Sequence, residues 1–358
     1  MASGSNQLQA FRQAMVAVYG EFDRIPQQDL ATWKPPPQPG NAGHRGRYLW
    51  TDAFGVVNFL TLFHETAEPQ YLGLAKRLVQ SVHDVLGRTR DETSRLPGAT
   101  DEEPLTGGLR IGKTDEYGPN ADGQYHHYLT LWMFALNRLS VAAKDSTFND
   151  LAVQLARAIH PRFIVVRNGQ ETMSWKISTD MTQPLVNSKG HLDDVTGLAI
   201  FQLLENTAKK FGQQNITLQK EMDQYRGMIA SEGELHSSSD MLDLGMSLWI
   251  SHFDRDAQWS RELSQDGLSI AQHIFLRGKP GALGRRMSYR LAFREFGACL
   301  GVKCYEDKQL IQGTHALLGS WEEVMYETTP EDLFAITLVM YAAALIPGAF
   351  YLGYFGET

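Results

Sequence analysis

The sequence predicts an all-α protein, an (α/α)6 toroid of six helical hairpins with a small β-hairpin in one long loop. Three observations carry this. Apolar residues recur at helical spacing in twelve segments. Those segments alternate in character along the chain. The longest connections all precede the more apolar segments.

Periodicity places helices at 7–20, 50–64, 70–87, 123–142, 148–161, 192–210, 215–230, 240–252, 257–275, 288–300, 306–319 and 331–346. The segments starting at 50, 123, 192, 240, 288 and 331 are apolar or rich in small residues, as in Ala53-Phe-Gly-Val-Val-Asn-Phe-Leu60. Those starting at 70, 148, 215, 257 and 306 have polar faces, as in Gln219-Lys-Glu-Met-Asp-Gln224. Inner and outer helices therefore alternate. Five pairs leave an outer helix at 7–20 and an inner one at 331–346, and pairing those two closes six hairpins. A length of 358 residues suggests about two domains at ~150 residues each, but the alternation makes residues 1–358 a single domain. No TPR, HEAT or ankyrin signature recurs.

Local signals support the segment ends. Thr329-Pro-Glu-Asp332 reads as an N-cap followed by proline at the first helical position, and Asp122, Asp193 and Asp240 sit where a cap or first-turn acid belongs. The stretches 21–49, 88–122 and 163–191 are long enough to be functional loops. The third contains Asn168-Gly169 between two strand-like runs, 162–167 and 170–177, which predicts a β-hairpin with a type I′ turn. The first contains a stiff Lys34–Gly40 proline run, and the second a Gly107–Lys113 glycine run. The glycine run lacks Walker spacing and a preceding strand, so it predicts backbone freedom and not nucleotide binding.

Composition narrows the function. With 33 basic against 41 acidic residues the net charge is −8, which argues against a nucleic-acid partner. Two cysteines, Cys299 and Cys304, exclude a disulfide scaffold and are expected to be reduced and inert. Residues 333–356 carry no charge, but Pro347-Gly348 interrupts them, so a buried core helix is expected and no membrane partner. The N-terminus has no leader pattern, so a cytoplasmic location is expected. Oligomeric state is left open.

The starts of the inner helices gather the chemistry. They hold Tyr48, Trp50 and Asp52; Asp122, Tyr125, His126 and His127; His191, Asp193 and Asp194; His236, Asp240 and Asp243; Arg285, Arg286, Tyr289 and Arg290; Glu331 and Asp332. Carboxylate pairs perform acid and base work when their environments separate their pKa values. Trp50, Tyr125, Trp175 and Tyr289 are flat surfaces for stacking on a sugar ring, and Arg290 is expected to hold a charged group. His126 and His127 stand about 100° apart on a helix, so one is expected to be structural. The histidines lack the i, i+4 spacing of a helical zinc site, so no metal and no cofactor are expected. No Gly-x-Ser-x-Gly elbow is present, and Asp193-Asp194 does not continue into an Asp-Asp-x-x-Asp motif.

With the twelve-helix alternation, the Arg47-Tyr-Leu-Trp-Thr-Asp52 entry to an inner helix and these aspartates in view, the chain resembles the six-hairpin (α/α)6 superfamily. That group includes glycoside hydrolases, unsaturated glucuronyl hydrolases and N-acylglucosamine 2-epimerases. The resemblance runs from about residue 7 to the end. It implies a small-molecule sugar ligand and a glycoside hydrolase in which Asp52 acts with Asp193 or Asp194. An inverting pair would stand roughly 6.5–9.5 Å apart. The same resemblance implies an alternative, an epimerase or isomerase with His126 or His127 working with His191 or His252. A non-sugar cyclase or a ligand-binding toroid is the third reading.

Overall fold

The computed structural model describes residues 2–38, 44–118, 121–276 and 286–356. The predicted arginine at 285 and the end of the proline run at 39–40 lie outside them. Contacts sort the chain into two compact units, Asp23–Ser231 and Met1–Phe22 with Glu232–Thr358.

The larger unit holds α2 (Leu49–Thr66), α3 (Pro69–Leu86), α4 (His126–Ala143), α5 (Ser146–Phe163), α6 (Asp193–Lys210) and α7 (Gln219–Glu232, its last residue aside). Helix α2 packs on α4 and α4 on α6, while α3 and α5 lie against α2 and α4. The sequence explains the layering. Helix α2 is buried along an unbroken run from Leu49 to Leu62. Helix α3 buries only the stripe Tyr71, Leu74, Ala75, Leu78, Val79, Val82 and its continuation. The predicted hairpin is present, with β2 (Ile164–Arg167) paired to β3 (Gln170–Met173) and positive φ at both Asn168 and Gly169.

A second pairing was not anticipated. Strand β1 (Gln124–Tyr125) pairs antiparallel with β4 (Lys176–Ile177), and the His126 N–H donates to Trp175 O at 3.1 Å. Gln124 and Tyr125 are therefore extended, and α4 begins at His126 and not at 123. The pairing ties the third long loop to the start of α4.

The second long loop is organised by Asp122, which is no helix cap. Its carboxylate accepts from Gly112 N (3.2 Å), Lys113 N (3.1 Å), Gly123 N (3.0 Å) and Arg110 Nη1 (2.7 Å). The glycine run thus wraps its amides around an internal anion, with Gly112 at φ +90°.

The second unit holds α1 (Ala2–Tyr19), α8 (Met241–Ser251), α9 (Gln258–Phe275), α10 (Ala292–Lys303), α11 (Lys308–Glu322), the single turn α12 (Met325–Thr328) and α13 (Glu331–Leu345). Helix α10 packs on α8 and α13, α9 packs on α8, and α1 lies against α13. Helix α10 starts four residues later than predicted. Residues Met287–Tyr289 form a 3-10 turn, and Arg290 is extended, reaching forward to Glu295. Pro330, and not Thr329, is the residue before the first turn of α13. Asp240 is the expected cap, accepting from Leu242 N and Asp243 N. Among the described residues no helix is long and apolar enough to cross a membrane.

Helices α8 and α10 cross on glycine. A Cβ on Gly245 would overlap Gly297 O, and one on Gly301 would overlap Gly245 O. Gly245→Val is expected to force the helices apart and cost about 2 kcal/mol or more, read as a lowered Tm. In the larger unit, His83 of α3 accepts the Trp132 indole N–H of α4 at 3.1 Å. Burial, and then the charge of Arg95, lowers its pKa from 6.5 to about 3. The unfolded chain then binds a proton that the native one refuses, so this part of the stability is present above pH 6.5 and lost as pH falls towards 3. At ~1.4 kcal/mol per pH unit, denaturant titrations across that window should show a steeper acid loss than His83→Gln does.

Candidate active site

The site residues of the larger unit sit on three helix starts. At α2, the turn His44–Arg47 closes through Gly46 (φ +81°), where any Cβ would overlap Gln38 O. This folds His44 and Arg47 back over the helix start. Asp52 receives Arg47 Nε at 2.8 Å and lies 2.6 Å from His44 Nε2, and all three side chains are fully buried. Burial outweighs the pull of Asp52 and keeps His44 below its usual pKa. Asp52 is thus neutralised inside the scaffold. Its predicted acid or base role has no solvent-facing oxygen to act through.

At α4, the two histidines separate as their spacing requires. His126 is fully buried, whereas the His127 side chain is 39% exposed. Its ring lies 5.0 Å from Tyr128, 5.8 Å from Tyr125, 5.9 Å from Trp50 and 6.2 Å from Trp175. Trp50 is only 5% exposed and stacks on Phe54, so it walls the site and offers no open face. Trp175 is half-buried, its indole N–H donating to Ser188 Oγ at 3.0 Å. Tyr125 is held edge-on to Trp175 at 4.9 Å, and burial, then Asp122 and Tyr48, pushes its pKa up to about 12. Lys113 and Lys176 both approach the Tyr125 ring, at 5.9 and 5.4 Å.

At α6, both predicted acids are buried. Asp193 Oδ2 accepts from Gly190 N at 2.9 Å, while Oδ1 faces His126 Nδ1 at 3.4 Å and His127 Nδ1 at 3.9 Å. Burial alone would raise its pKa. The two histidines and the Gly190 amide outweigh that and hold the carboxyl below the usual range. Asp194 is paired with Lys189 at 2.7 Å and accepts from Val195 N. Both acids also face the positive end of the helix dipole. His191, two residues earlier, is exposed.

The other predicted residues are placed elsewhere. Tyr289 and Arg290 belong to the second unit. Tyr289 is exposed, and the Arg290 guanidinium is committed to Glu295 (2.7 and 2.5 Å) over the Trp321 ring. His252 is buried with Nδ1 on Trp249 O and Nε2 accepting from Leu352 N, so it has no ring nitrogen for a substrate. His236 lies 3.8 Å from Asp266. Burial pushes Cys299 and Cys304 up to about 12, which leaves two inert thiols. Among the described residues no group of three or more His, Cys, Asp or Glu is arranged to hold a metal ion.

Sequence reasoning missed Lys113, Tyr128, Lys189 and Tyr225. Lys113 lay in the glycine run and Tyr128 beside His127, so position alone pointed to them. Tyr225 carried no local signal; its ring takes the space left by Gly197, where a Cβ would overlap it. A cleft of about 550 Å³ adjoins this region, lined by Asp122, Lys176, Ser178, Asp180 and Gln183 among others.

No family model matches the chain, and no curated protein matches its sequence. Solved structures do resemble it. A sugar epimerase from a ruminal bacterium aligns at TM-score 0.55 and 11% identity, over 96% of this chain and 98% of that one. A family 76 glycoside hydrolase from a bovine Bacteroides thetaiotaomicron strain aligns at TM-score 0.58 and 9% identity, over 95% and 77%. The cellobiose 2-epimerase of Spirochaeta thermophila aligns at 0.46 and 13%, over 94% and 84%. At such identities the first two likenesses show the fold alone, and that fold is the all-α six-hairpin toroid the sequence predicts.

Proposed function

We propose that the protein is a carbohydrate-active enzyme that moves a proton at a sugar carbon next to a carbonyl, as an epimerase or aldose–ketose isomerase. One observation carries this reading. Of the titratable residues gathered at the starts of α2, α4 and α6, the imidazoles of His127 and His191 reach solvent, while Asp52, Asp193 and Asp194 are 2% exposed or less. The sugar class is supported by the likeness to a sugar epimerase and a glycoside hydrolase.

The chemistry follows from the geometry. Asp193 lies behind Nδ1 of His127 and favours the proton there, which leaves the Nε2 lone pair as the base. That lone pair takes the proton from the carbon beside an open-chain carbonyl, and the electron pair moves to the carbonyl oxygen as an enediolate. Returning the proton to the neighbouring carbon, while a hydroxyl proton passes between the two oxygens, gives the aldose–ketose shift with one base. Returning a proton to the opposite face of the same carbon gives the epimer and needs a second donor, for which His191 is the candidate. Tyr125, Tyr128 and Trp175 wall the site and limit water. Lys113 is half-buried beside Tyr125, and its ammonium makes a sugar bearing a carboxylate or phosphate the better substrate.

A second reading, glycoside hydrolysis by Asp193 and Asp194, is favoured by two adjacent acids on the first turn of α6. It requires one of them to leave its partners and reach solvent.

The two readings separate in deuterated water. Proton transfer predicts deuterium at a single sugar carbon by NMR, with no glycosidic cleavage; hydrolysis products without exchange would reverse the choice. His127→Ala and His127→Gln should each lower kcat by about 100-fold or more with little change in KM. Undiminished turnover in either would remove His127 as the base. Lys113→Ala is expected to raise KM for an acidic sugar by about tenfold, the worth of one charge-assisted hydrogen bond, and to leave a neutral analogue unaffected.

A further inference from the structure

We propose that Tyr225 and His126 form a buried relay that aims the His126 proton at Asp193 and so tempers the pull of Asp193 on His127, which makes both of them positioning residues. The proposal rests on His127 as the base.

The Tyr225 hydroxyl lies 2.9 Å from His126 Nε2, and both side chains are fully buried. Burial, and then the negative charges of Asp193, Asp194 and Glu221, drives the phenol pKa far up, so the hydroxyl keeps its proton. It can then donate to His126, provided Nε2 carries no hydrogen. The His126 proton is consequently on Nδ1, which faces Asp193 Oδ1 at 3.4 Å. The opposite tautomer would aim a lone pair at a carboxylate oxygen in a water-free setting, a costly arrangement. Asp193 Oδ2 is already taken by Gly190 N, so Oδ1 is left between two imidazoles. With the His126 N–H turned toward it on one side, this oxygen has less charge left to draw the Nδ1 proton of His127 on the other.

The surroundings keep the relay in place. The Tyr225 ring lies against Gly197, edge-on to Phe201 at 5.3 Å and to His160 at 4.7 Å. His126 is edge-on to Phe163 at 5.3 Å. The titratable groups facing the relay are His160 of α5, Asp193 and Asp194 of α6 with Lys189 on the latter, and Glu221 of α7. His160 is held below its usual pKa, first by burial, and its Nε2 meets Gln224 Oε1 at 2.9 Å, so it adds no charge near neutral pH. Tyr125 and Tyr128 face His127 and remain protonated.

The test reads the imidazole itself. Histidine 15N NMR on the full chain gives the tautomer and pKa of His127 in the parent, Tyr225→Phe, His126→Leu and His126→Asn. Tyr225→Phe frees the His126 tautomer, and His126→Leu deletes the donor. Both leave the Asp193 charge less compensated and should raise the His127 pKa by about half a pH unit or more. The acid limb of the kcat/KM profile should move with it. His126→Asn keeps a donor near the Nδ1 position and should restore most of the parent value. If Tyr225→Phe does not fold, the contrast between His126→Leu and His126→Asn makes the same comparison. Folded variants with an unchanged His127 pKa would overturn the relay. A shifted pKa together with full turnover in His127→Ala would keep the relay and overturn the base.

Discussion

A carboxylate removed from water must be met by donors or it loses its proton, and this requirement shapes the larger unit. Asp52, Asp122, Asp193 and Asp194 are each 4% exposed or less. Every one is answered by groups drawn from a neighbouring loop. Asp52 folds His44 and Arg47 over the start of α2. Asp122 gathers the amides of the glycine run and Arg110. Asp193 and Asp194 draw in Gly190, the two histidines of α4 and Lys189. Buried charge thus fixes the long loops alongside apolar packing, as at Leu105, Leu109 and Ile111. Removing one partner would leave a buried ion uncompensated, which typically costs ~3–5 kcal/mol.

The same constraint explains what the sequence made legible. Helical periodicity and the alternation of apolar with amphipathic segments are read from burial, and burial is what the hydrophobic pattern encodes. The Asn168-Gly169 turn was legible because both residues tolerate positive φ. Helix starts were less so. Gln124 and Tyr125 look like a first turn, but their backbone is claimed by Lys176 and Ile177, some fifty residues away. Arg290 looks like the edge of a helix, but its guanidinium has a bidentate partner at Glu295 and its backbone is extended. Nothing local specifies either pairing.

Site residues divide along the same line. An acid at a helix start reads alike whether it caps, braces a loop or faces solvent. Asp240 caps, Asp122 and Asp52 brace, and Asp193 supports two imidazoles. The different fates of His126 and His127 were legible, because adjacent helical positions diverge by about 100°. Which one would be buried was not, since that depends on Phe163 and Tyr225 arriving from other helices.

The exposed imidazole can be understood as the residue of this charge balancing. The carboxylates at these helix starts are consumed by the scaffold, so what reaches solvent beside them is an imidazole, that of His127, with Asp193 behind it. A chain with net charge −8 nonetheless sets two ammonium groups beside Tyr125. Lys176 is buried, its Nζ donating to Ala121 O at 2.9 Å, and burial followed by the charge of Lys113 lowers its pKa. Asp122 pulls the same pKa the other way, so the paired ammonium groups are balanced in part by the buried carboxylate that anchors the glycine run.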